Sequence, residues 1–482
     1  MRDTLPPIVV GLSPRVEILP DWVDPLDALD GVRSDRHPVL LLSALPGHPA
    51  ARFSILASDP LAVLEIRGRE ALLSRPGEAP ERRAADDPLA LLREFAPTVA
   101  AGRRDDLPFV GGAIGWLGYG LRRSIEPLPP PPPDPLRQPD AWFGLYDSAA
   151  VFDSGARRVL LVASGIGRPG RGAAEVSARI ERLRSALGRA GRSAAARPGS
   201  PLVQRQATLA TPRPEYLRRI ARALDYIGAG DIYQVNLSHR IECPFEGDPV
   251  DLFRDLTRLN PAPFAAYIDA GSLRIVSASP ERFLGLDGDL ALSSPIKGTR
   301  PRGGARAEDE RLAGELLASA KDRAENVMIA DLVRNDLGRV AVPGSVRVRH
   351  LCALESFATV HHLVSTIEGR LPAGRDRIDL VRALFPGGSM TGAPKVRAME
   401  VIDELEQEER GIYSGSIGYL SLDGRMDFNI VIRTILCAAG RAHLRVGGAI
   451  VADSDPDLEF RETLDKARAL LQALRAEIRS GG

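Results

Sequence analysis

Short apolar runs bounded by turn residues recur along this chain without a regular helix between them. "PVLLLSA" (38–44) and "RVLLVAS" (158–164) lie in the N-terminal part. "AAYIDA", "LRIVSAS", "FNIVIRTIL" and "HLRVGGAIVA" follow further on. Each reads as a strand. Helical periodicity appears in only a few places. "EYLRRIARALDYIGAG" is an amphipathic helix stopped by glycine, and "SAKDRAENVMIADLVRNDLG" and "LEFRETLDKARALLQALRAEI" read as two more. A doubly wound sheet needs strands and helices in regular alternation, and this order lacks it. The expected class is α+β. No internal repeat of fixed period is present, which argues against a solenoid.

The chain has 482 residues, of which 44% are hydrophobic, so a large core can form. Lysine plus arginine and aspartate plus glutamate each total 63. A net charge of zero argues against a general polyanion binder, so no nucleic-acid partner is expected. Cys243, Cys352 and Cys437 are far apart and in no metal-ligand spacing. A reduced, cytoplasmic protein is the expectation. The first twenty residues lack an apolar core of signal-peptide length. No run of about 18 apolar residues occurs, so no membrane span is expected.

Two composition breaks divide the chain. "PLPPPPPDPL" (127–136) reads as an extended surface loop. "GRAGRSAAARPGSP" (188–201) reads as a linker or exposed loop. The expected division is an N-terminal region at 1–187, a linker at 188–204 and a denser region at 205–478.

Several side chains stand out for their chemistry. Glu325 lies three and four positions before Met328 and Ile329, at the edge of a helix's apolar face. A buried carboxylate needs a cation, either a nearby arginine or a metal. Glu459 and Glu462 flank the stripe Phe460, Leu464, Ala467, Leu471 and Leu474 of the last helix, with Lys466 four residues beyond Glu462. They read either as a solvated face with a Glu–Lys pair or as ligands for a hard cation such as Mg²⁺. "FPGGSMTGAPK" (385–395) is a glycine-rich loop entering a helix, with Thr391 and Lys395 as candidate anion contacts. A tight turn explains the same glycines. In "SSPIKGTRPR" (293–302), Lys297 sits at a strand running into a turn, where a solvated surface lysine is the plain alternative.

Taken together, nine stretches resemble the chorismate-utilising enzymes. They are "DIYQVNLSHR", "SASPERFL", "SPIKGTRPR", "AKDRAENVMIADLVRNDLGRV", "ATVHHLVSTIEG", "FPGGSMTGAPKVRAME", "YSGSIGYLS", "FNIVIRTI" and "GGAIVADSDPDLEFRET", in the family's order. "ARFSILASDP" and "FVGGAIGWLGYG" add a weaker match in the N-terminal part. The resemblance implies a large sandwich of two mainly antiparallel sheets with helices packed outside, as in anthranilate synthase component I. It implies Mg²⁺ held by Glu325 and Glu462 with Glu459 close by, and chorismate as substrate. It places Gly298, Thr299, Tyr419, Arg433, Gly447, Gly448 and Ala449 at substrate contacts. His362, Thr391 and Lys395 fall in the pocket lining, and Glu281 at the general acid that helps the C4 hydroxyl leave. Ala449 replaces a usual glycine.

Two positions separate the members. Those that add water at C2 carry a lysine where this chain has Gln234, and anthranilate synthases carry alanine where it has Lys297. The resemblance is therefore strongest to the large subunits of aminodeoxychorismate synthases, in which this lysine attacks C2. It implies 4-amino-4-deoxychorismate as product, with ammonia from a separate glutamine amidotransferase subunit. The other reading is an anthranilate synthase component I. Against it, "NPAPFAAY" (260–267) lacks the Tyr-Met pair that accompanies tryptophan inhibition in those enzymes.

Overall fold

The computed structural model describes residues 14–45, 47–48, 50–99, 104–166, 173–190, 204–357 and 360–479. Within them the strands form one sheet of 13 and one of 12, nearly all antiparallel. The expected α+β sandwich is what forms. Period-two burial explains the layering. Val39, Ile55 and Ile275 from the first sheet meet Trp116, Trp142 and Ile417 from the second in a shared inner core. The indoles of Trp116 and Trp142 stack there with centroids 5.2 Å apart.

Helices cover the outer faces. Pro25–Val32, Ala173–Arg189, Pro249–Leu259 and Pro456–Leu474 bury their apolar sides on the first sheet. Pro88–Phe95, Ala320–Gly338 and Arg377–Leu384 do so on the second. Pro456–Leu474 starts where the Asp455 carboxylate accepts the Leu458 N–H, with Pro456 preset for the first turn.

The strands from either side of residues 188–204 are interleaved. Phe264–Asp269 pairs with Val39–Leu42 in the first sheet. Ser416–Ser421 pairs with Gly112–Leu117 in the second. Residues 191–203 of the expected linker lie outside the described residues. The proline stretch 127–136 forms no helix or strand, in keeping with an extended loop.

Two expected elements differ. "FNIVIRTIL" is two strands, Met426–Asn429 and Thr434–Ala438. Arg433 between them has φ +53°, a left-handed conformation that ends strand pairing. The last helix stops at Leu474, and Ala476–Ile478 adds a short parallel strand beside Arg205–Leu209. Its buried stripe is Phe460, Thr463, Ala467, Leu470 and Leu474, so Leu464 and Leu471 sit at the margin.

Candidate active site

Lys297 lies on Ile296–Pro301, which pairs with Val360–Arg370. The pairing slips one residue between Lys297 and Thr299. Gly298 makes the slip, at φ +81°. A Cβ there would come within 2.9 Å of Asp322 on the Ala320–Gly338 helix, so only glycine lets strand and helix meet. Beyond the slip, Thr299 Oγ1 is 2.9 Å from His362 Nδ1. Burial holds His362 near pKa 4, so its ring is neutral.

Glu281 is 4% exposed and precedes the strand Arg282–Asp287. The Ile296 N–H, next to Lys297, points to its Oε1 at 3.4 Å, and Ser389 Oγ donates to the same oxygen at 2.6 Å. Burial pushes this carboxyl up to about 7, with Ser389 and Lys297 opposing the rise. Burial also pushes the Lys297 ammonium below its ordinary value. Lys466 adds to that shift, while Glu325, Glu281 and Glu462 oppose it. The pocket thus moves an acid and a base toward their neutral forms.

That shift has a measurable stability consequence. The Glu281 proton is held more tightly in the folded state, so its contribution is complete below the ordinary value of 4.5 and is lost as pH rises to about 7. Glu281→Gln should therefore raise unfolding free energy at pH 8 by about 3 kcal/mol and hardly change it at pH 4. Urea denaturation at the two pH values checks this.

Two helix carboxylates, Glu325 and Glu462, act on Lys297, and Glu459 lies beside Glu462. Burial raises Glu325, Lys297 and Lys321 oppose this, and the Glu462 charge adds to the rise. Glu459 is buried and raised, against a 2.6 Å bond from Ser454 Oγ, and again Glu462 adds to it. Glu462 is pulled down chiefly by Lys466, whose Nζ is 2.7 Å away. The expected i,i+4 Glu–Lys pair is present, and Lys466 also donates to Gly447 O at 2.9 Å. No arginine pairs with Glu325 among the described residues. A Cβ on Gly448 would stand 3.2 Å from Glu459 Oε2, so the glycine keeps the carboxylate's surroundings open. No three described His, Cys, Asp or Glu side chains converge as a finished metal cluster. Glu325 and Glu459 are raised while Glu462 is held ionised by Lys466, with Lys321 3.7 Å from Glu459. A hard divalent ion that keeps its waters and takes a ligand from an anionic substrate would therefore bind here by displacing these lysine contacts.

Against the helix that carries Glu459 and Glu462 packs the strand Arg441–Ile450. A Cβ on Gly447 would press to 2.4 Å of Leu237 O and 3.0 Å of the Tyr413 hydroxyl. Arg433 is half-buried, desolvation lowers its pKa, and its guanidinium donates to Lys466 O at 3.0 Å. Ala449 pairs with Asn236 in the next strand. Gln234 opens that strand, fully buried, with neither amide atom hydrogen-bonded.

Three predicted contacts are placed differently from the rest. Tyr419 lines a separate cavity of about 270 Å³ between the sheets, with Arg282, Asp427, Arg52 and Phe53. Tyr413, which sequence reasoning missed, is the tyrosine against Gly447 and Arg433. Lys395 gives its ammonium to Asp336 at 2.5 Å and Leu384 O at 3.0 Å, so it closes the loop. Thr391 turns its hydroxyl to Gly387 O and Gly388 O within the same loop. Ser389 and Ser454 were also missed, although each lies inside a quoted motif.

One buried arginine fixes the glycine-rich loop. Arg410 donates to Met390 O at 2.8 Å, Asn236 O at 2.5 Å and Ser414 Oγ at 3.0 Å, and grips both oxygens of Glu406. Burial pushes Glu406 up, but Arg410 and Arg445 outweigh it and keep it ionised. Arg410→Met should cost about 3 kcal/mol, because it takes the main partner from the buried Glu406 charge and leaves only Arg445 and Ser238 beside it. A lower urea midpoint, with Glu406→Gln restoring part of the loss, is the expected observation.

Comparison with known proteins adds a decisive match: a chorismate binding enzyme family model covers residues 47–472. The chain belongs to that family. It is 41% identical to aminodeoxychorismate synthase component 1 of Salmonella typhimurium, over 98% of this chain and 100% of that protein. It is also 41% identical to anthranilate synthase component 1 of Streptomyces coelicolor, over 95% and 88%. The crystal structure of anthranilate synthase component I from Streptococcus pneumoniae superposes with a TM-score of 0.76 at 33% identity, covering 88% of this chain and 93% of that one. No helix among the described residues is long and apolar enough to cross a membrane.

Proposed function

We propose that this chorismate-family enzyme is the component 1 of an aminodeoxychorismate synthase. Lys297 carries the reading: a partly buried amine whose charge the pocket disfavours, next to the N–H that points to Glu281. As Lys297 Nζ bonds to C2 of chorismate, the ring double bonds shift and the C4–O bond breaks. The Glu281 proton joins the leaving hydroxyl as water, and the carboxylate takes the proton that the bound amine sheds. Ammonia then bonds to C4, the C2–N bond breaks, and Lys297 leaves with one of the ammonia protons. The product is 4-amino-4-deoxychorismate, a precursor of 4-aminobenzoate and folate. Glu325 and Glu462, with Glu459 beside them, would hold Mg²⁺, which when bound supplies positive charge for the ring carboxylate. Arg433, Tyr413 and the Gly447–Gly448 backbone would orient the substrate.

Gln234, in place of a lysine, leaves water at C2 without a base. The partner would be a glutamine amidotransferase subunit, since nothing here resembles its cysteine elbow and His-Glu pair. The compartment consistent with this chemistry is the cytoplasm. The second reading, anthranilate synthase, has support in the equal identity to a relative of that name. The product decides. With chorismate, Mg²⁺ and ammonium, the chain should form a compound that an added lyase converts to 4-aminobenzoate. Anthranilate, or turnover of glutamine by the chain alone, would overturn the proposal.

A further inference from the structure

The two oxygens of Glu281 are not equivalent. Oε1 accepts the Ser389 hydroxyl at 2.6 Å and faces the Ile296 N–H at 3.4 Å. Oε2 has no hydrogen-bond partner among the described residues. An oxygen already turned to two donors is a poor seat for an acid proton, so a neutral carboxyl carries it on Oε2. We propose that Ser389 is a positioning residue: it holds Oε1 as the acceptor, and so presents the Glu281 proton on Oε2. This rests on the reading of Glu281 as the proton donor.

Ser389 is itself held on both sides. It sits in the buried turn Gly388–Met390, where Arg410 binds the Met390 carbonyl. The Asn236 N–H donates to Thr391 O at 2.8 Å, tying the loop to the neighbouring strand. A Cβ on Gly388 would come to 2.7 Å of Leu332, so the glycine lets the serine reach this depth. When Oε2–H breaks and its proton joins the leaving hydroxyl, the new carboxylate finds Ser389 and Ile296 N–H already in place. No donor needs to reorient at that step.

The charged groups around Glu281 are few. Lys297 faces it from the adjoining strand. Asp336 lines the same small hollow from the Ala320–Gly338 helix, neutralised by Lys395. Arg282 turns away to Asp427 at 2.9 Å. The glycine-rich loop brings no charge of its own between Pro386 and Thr391. Among these groups Ser389 alone combines a short bond to the carboxyl with no charge, so removing it takes away one donor and leaves the formal charges around Glu281 unchanged.

The test compares Ser389→Ala and Ser389→Thr with the unaltered chain. Infrared difference titration reads the Glu281 carboxyl, assigned by its loss in Glu281→Gln, and turnover is followed with chorismate, Mg²⁺ and ammonium. A hydroxyl donating to the carboxylate favours the charged form. Ser389→Ala should therefore move the Glu281 midpoint to higher pH by about one unit. It should also lower kcat by roughly tenfold to a hundredfold with KM little changed. Ser389→Thr, which keeps the hydroxyl, should restore both. An unmoved midpoint and unchanged kcat in Ser389→Ala would overturn the proposal. Wild-type turnover in Glu281→Gln would instead remove the acid reading itself, whatever the infrared midpoint showed for Ser389.

Discussion

Lys297→Ala should lose on the order of a thousandfold of its chorismate amination and keep its fold. The covalent route needs the amine, and alanine offers no nucleophile at C2. Residual product should shift toward C2-substituted compounds, because C2 is now open to ammonia or water. Stability should hold or rise. Burial disfavours the Lys297 ammonium, so the folded state binds its proton more weakly than the unfolded chain does. Below the ordinary lysine range that mismatch is destabilising, and alanine removes it. Lost turnover with an equal or higher melting temperature marks a side chain kept for chemistry at the expense of stability. Lys297→Arg should not rescue, since a guanidinium stays protonated. Intact-protein mass spectrometry with chorismate and Mg²⁺ but no ammonia should show an adduct at residue 297 in the unaltered chain. Wild-type rates of C4 amination in Lys297→Ala would make the lysine a bystander.

Glu325→Gln should cost more than about a hundredfold in turnover at saturating Mg²⁺, and Glu462→Gln a similar factor. Glutamine keeps the shape and removes the charge that a hard cation needs. Calorimetric titration with Mg²⁺ and chorismate should lose its heat in either variant. Glu325→Gln should also be more stable than the unaltered chain above the carboxyl's raised midpoint, because burial and the Glu462 charge both disfavour its ionised form. Normal turnover in Glu325→Gln would sink the metal assignment.

The parts of the site that could be read from sequence are those whose function is local. Lys297, Gly298 and Thr299 lie within three residues, and "PIKGT" alone reads as a strand running into a turn, whereas the left-handed glycine and the slip are set by the pairing with Val360–Arg370. Features set by distant partners stayed hidden. Lys395 looked like an anion contact in a glycine-rich loop, but Asp336, 59 positions away, takes its ammonium. "GIYSGSIGYLS" holds two tyrosines, and the family resemblance singled out only Tyr419, within the strand. Tyr413 lies before the strand begins, where no periodicity assigns a face. An unbroken apolar run such as "FNIVIRTIL" gives no sign of the left-handed arginine that divides it. The sandwich itself came from family resemblance, because alternation of apolar and polar residues states which face is buried and not which strand lies alongside.

The two seams that join Val39–Leu42 to Phe264–Asp269 and Gly112–Leu117 to Ser416–Ser421 make this a chain that can be nicked but not divided. A protease cutting between residues 191 and 203 would leave the fragments knit by backbone bonds in both sheets. Either fragment made alone would instead display raw strand margins in two layers, an invitation to aggregate. Co-expressed, the fragments should find each other and reassemble. Transplanting one into a relative would succeed only where both seams match, so the enzyme's halves must evolve as a couple rather than as exchangeable modules.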